Sequence, residues 1–499
     1  MWFVNVDDYY REAIAFLEGH KNGQPHEIDI GKAENILNEI LNFNVGNSAV
    51  LNSLGALMES KGFHGLAIQI LSQVTQMEPR NFSAWNNLGL AWKSVWDYER
   101  AERCLEKALK HSSPEHKSDA YCNLAAINLN RNSAEKALEY AKKSIETNPK
   151  NAKAHWHFSL AKLELRQWDE AWEGHEARLY GGAPKNQEIA FRNYHGAEIT
   201  PRWEGQTPAK VVVHGEEGIG DEIMFSSCIP DILALGVEVI FEPSPRLEGL
   251  FRRSFPEAKV YGTHECHGER WINELGPPDY VIALGSLPKF FRTSAASFPG
   301  TPFLIPDPVR SAHWREQLNM LGNKKPNIGI AWQGGVAETR YEARSFHPDQ
   351  YAPLFQAFDA NWISLQYDQT AQDCVKDVKN KLGIQIHHWP SAVEQRDPVT
   401  GKNNANDMDE MAALVSQLDA VVTVCQTAVH LAGGLGVPTF CLTPSEPSWR
   451  YGAVEDESMP WYRSVHLLRQ EKGTRDWKPV IERAECELRT LFSIMEAAQ

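Results

Sequence analysis

The stretch VVVHGEEGIGDEIMF, residues 211–225, combines the features of a buried strand, a tight turn and a helix start. Its β-branched run predicts a buried strand, and its three glycines can adopt the backbone angles that a tight turn requires. Asp221 then opens an apolar pattern with helical spacing. A carboxylate at the carboxyl end of a strand lies where α/β sheets bind ligands, so Asp221 is a candidate catalytic residue. The alternative is that Asp221 only caps the helix.

Length and composition indicate a multidomain protein that does not act mainly on nucleic acid. The chain has 499 residues, of which 42% are hydrophobic, and this size predicts two or three domains. The net charge of −15 argues against nucleic acid or an anionic membrane as the main partner. The sequence has no transmembrane segment of about 18 apolar residues, no signal-peptide pattern and no CxxC pair. These features predict a cytoplasmic protein.

The first 180 residues repeat with a period near 34. Alanines recur at positions 33, 67, 101, 137 and 171, and large residues recur at positions 51, 85, 121 and 155. The pattern resembles the tetratricopeptide repeat (TPR), with about four full units after a degenerate half unit. Such arrays form a solenoid whose concave face usually binds a peptide or protein. Capping of the next domain and self-association are the alternatives.

The rest of the chain alternates predicted strands and helices, which indicates parallel sheets covered on both faces. Strand-like runs lie at 211–214, 237–242, 280–284, 327–332, 362–366, 384–389, 420–424 and 439–443, and a proline-rich hinge lies at 297–311. The predicted domains are a repeat array over 1–180, a connector over 181–208, a first α/β half over 209–305 and a second over 306–499. Two such halves favour an enzyme that binds its ligand in the cleft between them.

The stretch VVTVCQTAVHLAGGLGVPTFCL, residues 421–442, repeats the strand–turn–helix pattern in the second half. Thr427 is a predicted N-cap, and the N–H groups of the first helical turn would suit a phosphate. His430 lies one turn further along the same helix. The alternative for His430 is a buried structural histidine.

Two further loops are expected at the same sheet edge. The loop WQGG, residues 332–335, has backbone N–H groups that could face a diphosphate, and Gln366 ends the next strand. Arg340 and Arg344 lie between them and could stabilise negative charge on a departing nucleotide. The alternative for either arginine is a solvated ion pair at the surface.

Two motifs with possible metal ligands carry less weight. HECH, residues 264–267, has His and Cys side chains but no second ligand pair. DMD, residues 407–409, has the form of a metal–nucleotide motif, yet it precedes a helix and is more simply explained as a capping cluster. The sequence therefore predicts no metal site.

Together these motifs resemble a bacterial fusion of tetratricopeptide repeats to a glycosyltransferase of the GT-B type, similar to the heptosyltransferases of glycosyltransferase family 9. The signatures are WEG (203–205), GEEGIGD (215–221), IAWQGG (330–335), RSFHPDQY (344–351), SLQ (364–366), HLAGGLGVP (430–438), PSWRYG (447–452) and PWYRSVHLLRQ (460–470). The resemblance covers nearly all of the chain. It implies an α-helical TPR solenoid followed by an α/β GT-B fold with two Rossmann-like domains.

The resemblance also implies an inverting transfer of a sugar from a nucleotide-sugar donor to an acceptor hydroxyl. Asp221 would be the general base that takes the proton of that hydroxyl as its oxygen attacks the anomeric carbon. The acceptor-side loop would include Glu217, Gly218 and Gly220. The nucleotide-sugar would contact Gln333, Arg344, Gln366, Thr427 and His430. No cofactor or metal is expected, because helix N-termini and cationic side chains would hold the leaving diphosphate.

The chain departs from the family pattern after the predicted strand 420–424. Relatives usually have Asp-Thr there, whereas this chain has Cys425 and Gln426. The leading hypothesis is a protein glycosyltransferase, because relatives with repeat arrays include enzymes that modify flagellin or other proteins. The alternatives are an enzyme that acts on a lipopolysaccharide or polysaccharide precursor and a catalytically inactive TPR scaffold protein. The donor, the acceptor and any homo-oligomer stay open at this point.

Overall fold

The computed structural model of the chain describes residues 47–181, 200–216, 218–263, 271–335, 341–367, 370–393, 408–452 and 457–497. The chain divides into two compact units. The first comprises Met1–Arg131 and Glu139–Lys150, and the second comprises Asn132–Leu138 and Asn151–Gln499. Within the described ranges, no helix is long and apolar enough to cross a membrane.

Paired helices build the N-terminal part, as the period of the sequence predicts. They are α1 (Ser48–Ser60), α2 (His64–Met77), α3 (Phe82–Ser94), α4 (Tyr98–His111), α5 (Lys117–Asn130), α6 (Ala134–Thr147), α7 (Ala152–Glu164) and α8 (Trp168–His175). Asparagine side chains cap the first helix of three pairs, at Asn47, Asn81 and Asn151. An asparagine oxygen satisfies backbone N–H groups that the first helical turn leaves without partners.

The repeated small residues of the first unit lie where its helices approach closely. A Cβ atom on Gly55 would lie 2.5 Å from Cγ of Leu71, and one on Gly89 would lie 2.8 Å from Cγ of Leu105. Ala67 is fully buried in the same core. These positions admit no larger side chain without movement of a neighbour, which explains why small residues recur there. The predicted tetratricopeptide-type helix pairs are confirmed.

The first α/β half contains a parallel sheet of four strands in the order β3-β2-β1-β4. Its elements are β1 (Lys210–His214), α9 (Ile219–Ser226), α10 (Ile229–Ala234), β2 (Glu238–Glu242), α11 (Glu248–Ser254), β3 (Lys259–Val260), α12 (Ile272–Leu275), β4 (Tyr280–Ala283) and α13 (Pro288–Phe291). The chain order reverses between β1 and β4. Their carboxyl ends therefore flank the crevice where sheets of this kind bind ligands.

The second half contains a sheet of seven strands in the order β10-β11-β9-β8-β5-β6-β7, in which only β10 and β11 pair antiparallel. The strands are β5 (Asn327–Ala331), β6 (Asn361–Ser364), β7 (Ile386–His387), β8 (Ala420–Val424), β9 (Thr439–Thr443), β10 (Ser458–Met459) and β11 (Tyr462–Arg469). The helices are α14 (Pro308–Asn319), α15 (Ala352–Ala357), α16 (Ala371–Leu382), α17 (Pro390–Val393), α18 (Met408–Val415), α19 (Thr427–Leu435) and α20 (Lys478–Ala497). The switch point of this sheet lies between β5 and β8.

The eight predicted strands are present, and the fold class predicted from the sequence is confirmed. The structure adds β3, β10 and β11, none of which the sequence pattern identified. The predicted hinge, residues 297–311, is bonded to helix α19. The N–H groups of Phe303 and Leu304 donate to the Gly434 carbonyl at 2.9 and 3.0 Å. The predicted domain boundaries stay predictions. The second compact unit begins its main segment at Asn151, so the helix pair α7–α8 belongs to the same unit as both α/β halves.

Candidate active site

Asp221 lies in the first turn of α9, directly after the loop that leaves β1. The N-cap of this helix is Gly218, and no side chain forms a capping hydrogen bond there. The helix therefore does not use the Asp221 carboxylate as its cap. The side chain is 18% exposed, and its Oδ1 atom accepts a hydrogen bond from Nε of Arg450.

Arg450 reaches Asp221 from the second α/β half. It lies on the short helix Trp449–Tyr451, which follows β9, and its guanidinium carbon sits 4.9 Å from the centre of the Trp449 ring. The Arg450 side chain is also 18% exposed. A partly exposed ion pair of this kind can open when a ligand offers either partner a better contact.

Helices α9 and α19 pack against each other through Gly220 and His430. A Cβ atom on Gly220 would lie 2.9 Å from Cδ2 of His430, so this contact requires glycine. Nδ1 of His430 lies 3.2 Å from the Tyr462 hydroxyl oxygen. Burial lowers the pKa of His430 to about 4, with Arg450 acting in the same direction and Asp221 opposing it. His430 is therefore a neutral imidazole at neutral pH.

The WQGG loop after β5 is held by the side chain of Gln366, which is buried at the end of β6. Oε1 of Gln366 accepts from the backbone N–H groups of Trp332 at 3.2 Å and of Gln333 at 3.1 Å, and its Nε2 donates to the Gln333 carbonyl at 3.3 Å. The Gln333 side chain is half-buried. Gln366 thus fixes the shape of the loop through its amide.

The turn after β8 lies against the same loop. A Cβ atom on Gly334 would be 2.7 Å from the Cys425 carbonyl oxygen, and Nη1 of Arg344 donates to that oxygen at 3.3 Å. Three predicted donor-side features, the WQGG loop, Arg344 and the turn at Cys425, therefore meet at the switch point between β5 and β8.

The prediction that Thr427 is an N-cap is wrong. The N-cap of α19 is Gln426, whose backbone is extended, and Thr427 is the first helical residue. No side chain forms a capping hydrogen bond, because Nε2 of Gln426 donates instead to Oγ1 of Thr423 at 3.3 Å. The Cys425 thiol is buried as well, with its sulfur 3.7 Å from that of Cys441. Cys425 and Gln426, the two residues at which the sequence departs from the family that it resembles, thus direct their side chains toward the protein interior.

The remaining predictions fall partly outside the described residues. Glu217, Arg340 and the HECH segment lie outside them. In the DMD segment, Asp409 forms an ion pair with Arg253 across α11 and α18. Among the residues that the structure describes, no three His, Cys, Asp or Glu side chains are grouped so that they could hold a metal ion.

Sequence reasoning missed Arg450 and Tyr462 as neighbours of the predicted site. Both fall inside motifs that mark the family resemblance, PSWRYG and PWYRSVHLLRQ. Their closeness to Asp221 and His430 is visible only in the folded chain. Arg450 is 229 positions from Asp221, and Tyr462 is 32 positions from His430.

No protein-family model matches the chain. The chain is 28% identical over 460 residues to protein FlbA of Caulobacter vibrioides, over 88% of this chain and 72% of FlbA. The structure of MamA is similar over 38% of this chain and 99% of its own, with 21% identity and a TM-score of 0.30. The E. coli ADP-heptose LPS heptosyltransferase II is similar over 57% of this chain and 99% of its own, with 13% identity and a TM-score of 0.41.

Proposed function

We propose that this protein is a glycosyltransferase that moves a sugar from a nucleotide-sugar to a hydroxyl group of a protein acceptor. The observation that carries the proposal is the position of Asp221. Its carboxylate lies beside the switch point of the first sheet and meets Arg450 of the second half. Such a transfer requires a carboxylate that takes the proton of the acceptor and a cation that stabilises the leaving diphosphate. Asp221 and Arg450 bring these two groups together from opposite halves.

On the acceptor side, Asp221 would act as the general base. Its carboxylate would take the proton of the acceptor hydroxyl while that oxygen bonds to the anomeric carbon of the sugar. The bond from that carbon to the nucleotide's phosphate oxygen would break at the same time, and attack from the face opposite the leaving diphosphate gives inversion. His430 is a weaker candidate for this base, because its imidazole is buried and in contact with Gly220.

On the donor side, the leaving diphosphate would meet the first turn of α19, where Thr427 is half-buried. Backbone N–H groups at a helix N-terminus favour an anion. Arg344 lies at the turn before α19, where it donates a hydrogen bond to the Cys425 carbonyl. Arg450 lies beside Asp221. These cationic groups would supply the charge stabilisation that a metal ion supplies elsewhere, so the proposed reaction is independent of metal.

The first unit offers a surface for the proposed protein acceptor. Asparagines on the first helices of successive pairs join in hydrogen bonds: Nδ2 of Asn87 donates to Asn52 at 3.2 Å, and Nδ2 of Asn123 donates to Asn86 at 2.8 Å. All four side chains are half-buried. An amide side chain both donates and accepts, so such a row can bond the N–H and C=O groups of an extended peptide.

The first test is a thermal-shift screen of the full chain with UDP, GDP, ADP and CMP. We expect one nucleotide to raise the melting temperature and thereby to identify the donor class. The Asp221→Asn variant should keep that shift and lose sugar transfer. Glu257→Gln, an exposed carboxylate in the same half, is the control and should keep both.

Sugar transfer from the identified donor class would then be compared on flagellin and on a lipopolysaccharide core acceptor. Asn87→Ala and Asn123→Ala should raise the KM for flagellin and leave slow hydrolysis of the donor unchanged. Transfer to the lipopolysaccharide acceptor alone would support the alternative substrate. No shift with any nucleotide, together with no transfer, would support an inactive scaffold and overturn the proposal.

A further inference from the structure

The crevice at the switch point of the first sheet contains the side chain of Arg178. This arginine lies on the short helix Glu176–Tyr180, which follows α8, and it is fully buried. Its Nε donates to Oε2 of Glu216 at 3.0 Å, and its Nη2 donates to Oε1 of Glu216 at 2.5 Å. Glu216 belongs to the loop between β1 and α9, five positions before Asp221.

The same guanidinium also bonds the loop after β4. Its Nη2 donates to Oγ of Ser286 at 3.0 Å, and the backbone N–H of Gly285 donates to Oε1 of Glu216 at 2.8 Å. A Cβ atom on Gly285 would lie 2.6 Å from that carboxylate oxygen and 3.1 Å from Nη2 of Arg178. Arg178 and Glu216 therefore tie together the two loops that flank the switch point.

The other amino group of Arg178 stays within its own segment. Its Nη1 lies 2.9 Å from Nδ1 of His175 and donates to Oε1 of Glu176 at 3.0 Å. Burial lowers the pKa of His175 well below its usual value, so the ring is neutral and Nδ1 can accept. Burial alone would raise the pKa of Glu176, but Arg178 and Arg202 lower it.

All three nitrogens of the guanidinium thus have acceptors, in the planar fork that only arginine provides. A buried charge is stable only beside a partner of opposite charge, because a buried charge without such a partner strongly destabilises the fold. The position of the Glu216 loop is therefore coupled to the position of the helix pair α7–α8.

We infer that Arg178 is a positioning residue of the proposed transferase. It occupies the crevice in which a sheet of this type usually holds a ligand, and it fixes the loop from which the helix of Asp221 begins. The inference rests on the proposed function. It makes α7 and α8 part of the catalytic unit, whereas the helices before them would serve the acceptor.

The test uses the full chain with three variants: Arg178→Met, Glu216→Gln and the double variant. Arg178→Met leaves the buried Glu216 carboxylate without a cation, and Glu216→Gln leaves Arg178 with Glu176 as its remaining carboxylate partner, so both single variants are expected to be less stable than the wild type. The double variant removes both charges of the Arg178–Glu216 pair and leaves Glu176 paired with Arg202. It keeps an oxygen for the Gly285 N–H and an unbranched apolar stem at position 178. We expect it to melt within a few degrees of the wild type.

The matched control is Lys289→Ala. Lys289 also joins α8 to the first half, through Glu173 at 3.3 Å, but this pair is partly exposed. Its removal should change neither stability nor transfer, because exposed ion pairs contribute little.

The readouts are kcat, the KM for the nucleotide-sugar and the thermal shift with UDP, GDP, ADP or CMP, whichever stabilises the wild type. The folded double variant should lose on the order of 100-fold in kcat through misplacement of Asp221. Its KM and its nucleotide shift should match the wild type, because the donor side is not changed. If Arg178 served only the stability of the fold, the folded double variant would have the kcat of the wild type.

A folded double variant with wild-type kcat would overturn the inference and leave the proposed function intact. A wild type without transfer to any acceptor would instead contradict the proposed function. In that case hydrogen exchange decides the inference: faster exchange over residues 218–226 in the double variant supports it, and unchanged exchange overturns it.

Discussion

Nε of Arg450 donates a hydrogen bond to Oδ1 of Asp221, and this ion pair joins the two α/β halves at the candidate active site. The carboxylate that would accept a proton is thus already paired with a cation. A nucleoside diphosphate carries more negative charge than Asp221 and would compete for the same guanidinium. Binding of the donor would therefore free the carboxylate to meet the acceptor hydroxyl.

Replacement of Arg450 tests this relationship. Arg450→Ala should lower kcat by about 100-fold or more, because one preorganised donor to the leaving group is removed. Arg450→Lys should retain part of the activity, since it keeps the charge and loses the planar fork. Steady-state kinetics measure both, with the exposed Lys472→Ala as the control. Wild-type kcat in Arg450→Ala would show that the pair has no part in transfer.

The contact between Gly220 and His430 predicts different effects for two neighbouring glycines. Gly220→Ala would place a methyl group 2.9 Å from a buried imidazole carbon and should cost about 1–3 kcal/mol of stability. In Gly218→Ala the nearest atom is Oδ2 of Asp221 at 3.7 Å, an ordinary contact, and φ is −119°. Urea unfolding of both variants compares them directly. Equal losses would mean that α9 and α19 are not packed as described.

The neutral state of His430 predicts a loss of stability in acid. Below its ordinary pKa of 6.5 the unfolded chain binds a proton that the folded protein does not bind until about pH 4. Stability is therefore fully present above pH 6.5 and falls between these two values, by about 2 kcal/mol at pH 5. His175 acts in the same direction, because burial lowers its pKa as well.

His430→Gln should consequently lose less stability than the wild type between pH 7.5 and pH 5. The exposed His313→Gln is the control and should follow the wild type. Urea midpoints at the two pH values provide the measurement. An unchanged pH dependence in His430→Gln would contradict the neutral, buried state of this ring.

The amide of Gln366 supports the WQGG loop, so its removal should weaken binding of the nucleotide-sugar although Gln366 itself does not touch the reacting atoms. Gln366→Ala leaves the N–H groups of Trp332 and Gln333 without their acceptor and should cost about 1–3 kcal/mol of stability. The KM for the nucleotide-sugar should rise because the WQGG loop loses its support. Gln385→Ala, at an exposed position, is the control. A wild-type KM would exclude the loop from donor binding.

The repeat array followed from periodicity, and the eight predicted strands followed from apolar runs. The small residues recur with a period near 34 because two packed helices set that length, and the apolar runs mark strands buried on both faces. Strand β11 was missed because its eight residues mix exposed and buried positions irregularly, as the exposed Arg463 and His466 illustrate. Thr427 was assigned as a cap because local preference cannot detect that Gln426 turns inward to Thr423.

The sequence by itself determined the helical repeats, the eight predicted strands of the two sheets and the positions of Asp221, Gln366 and His430 at strand ends or helix starts. Those features depend on residues that are near in the chain, so their spacing is sufficient. Only the tertiary structure decided that Arg450 pairs with Asp221 and that Arg178 enters the first sheet's crevice. Such pairs join residues 229 and 38 positions apart. Their partners are selected by burial and by the geometry of the guanidinium, which exist only after the elements have packed.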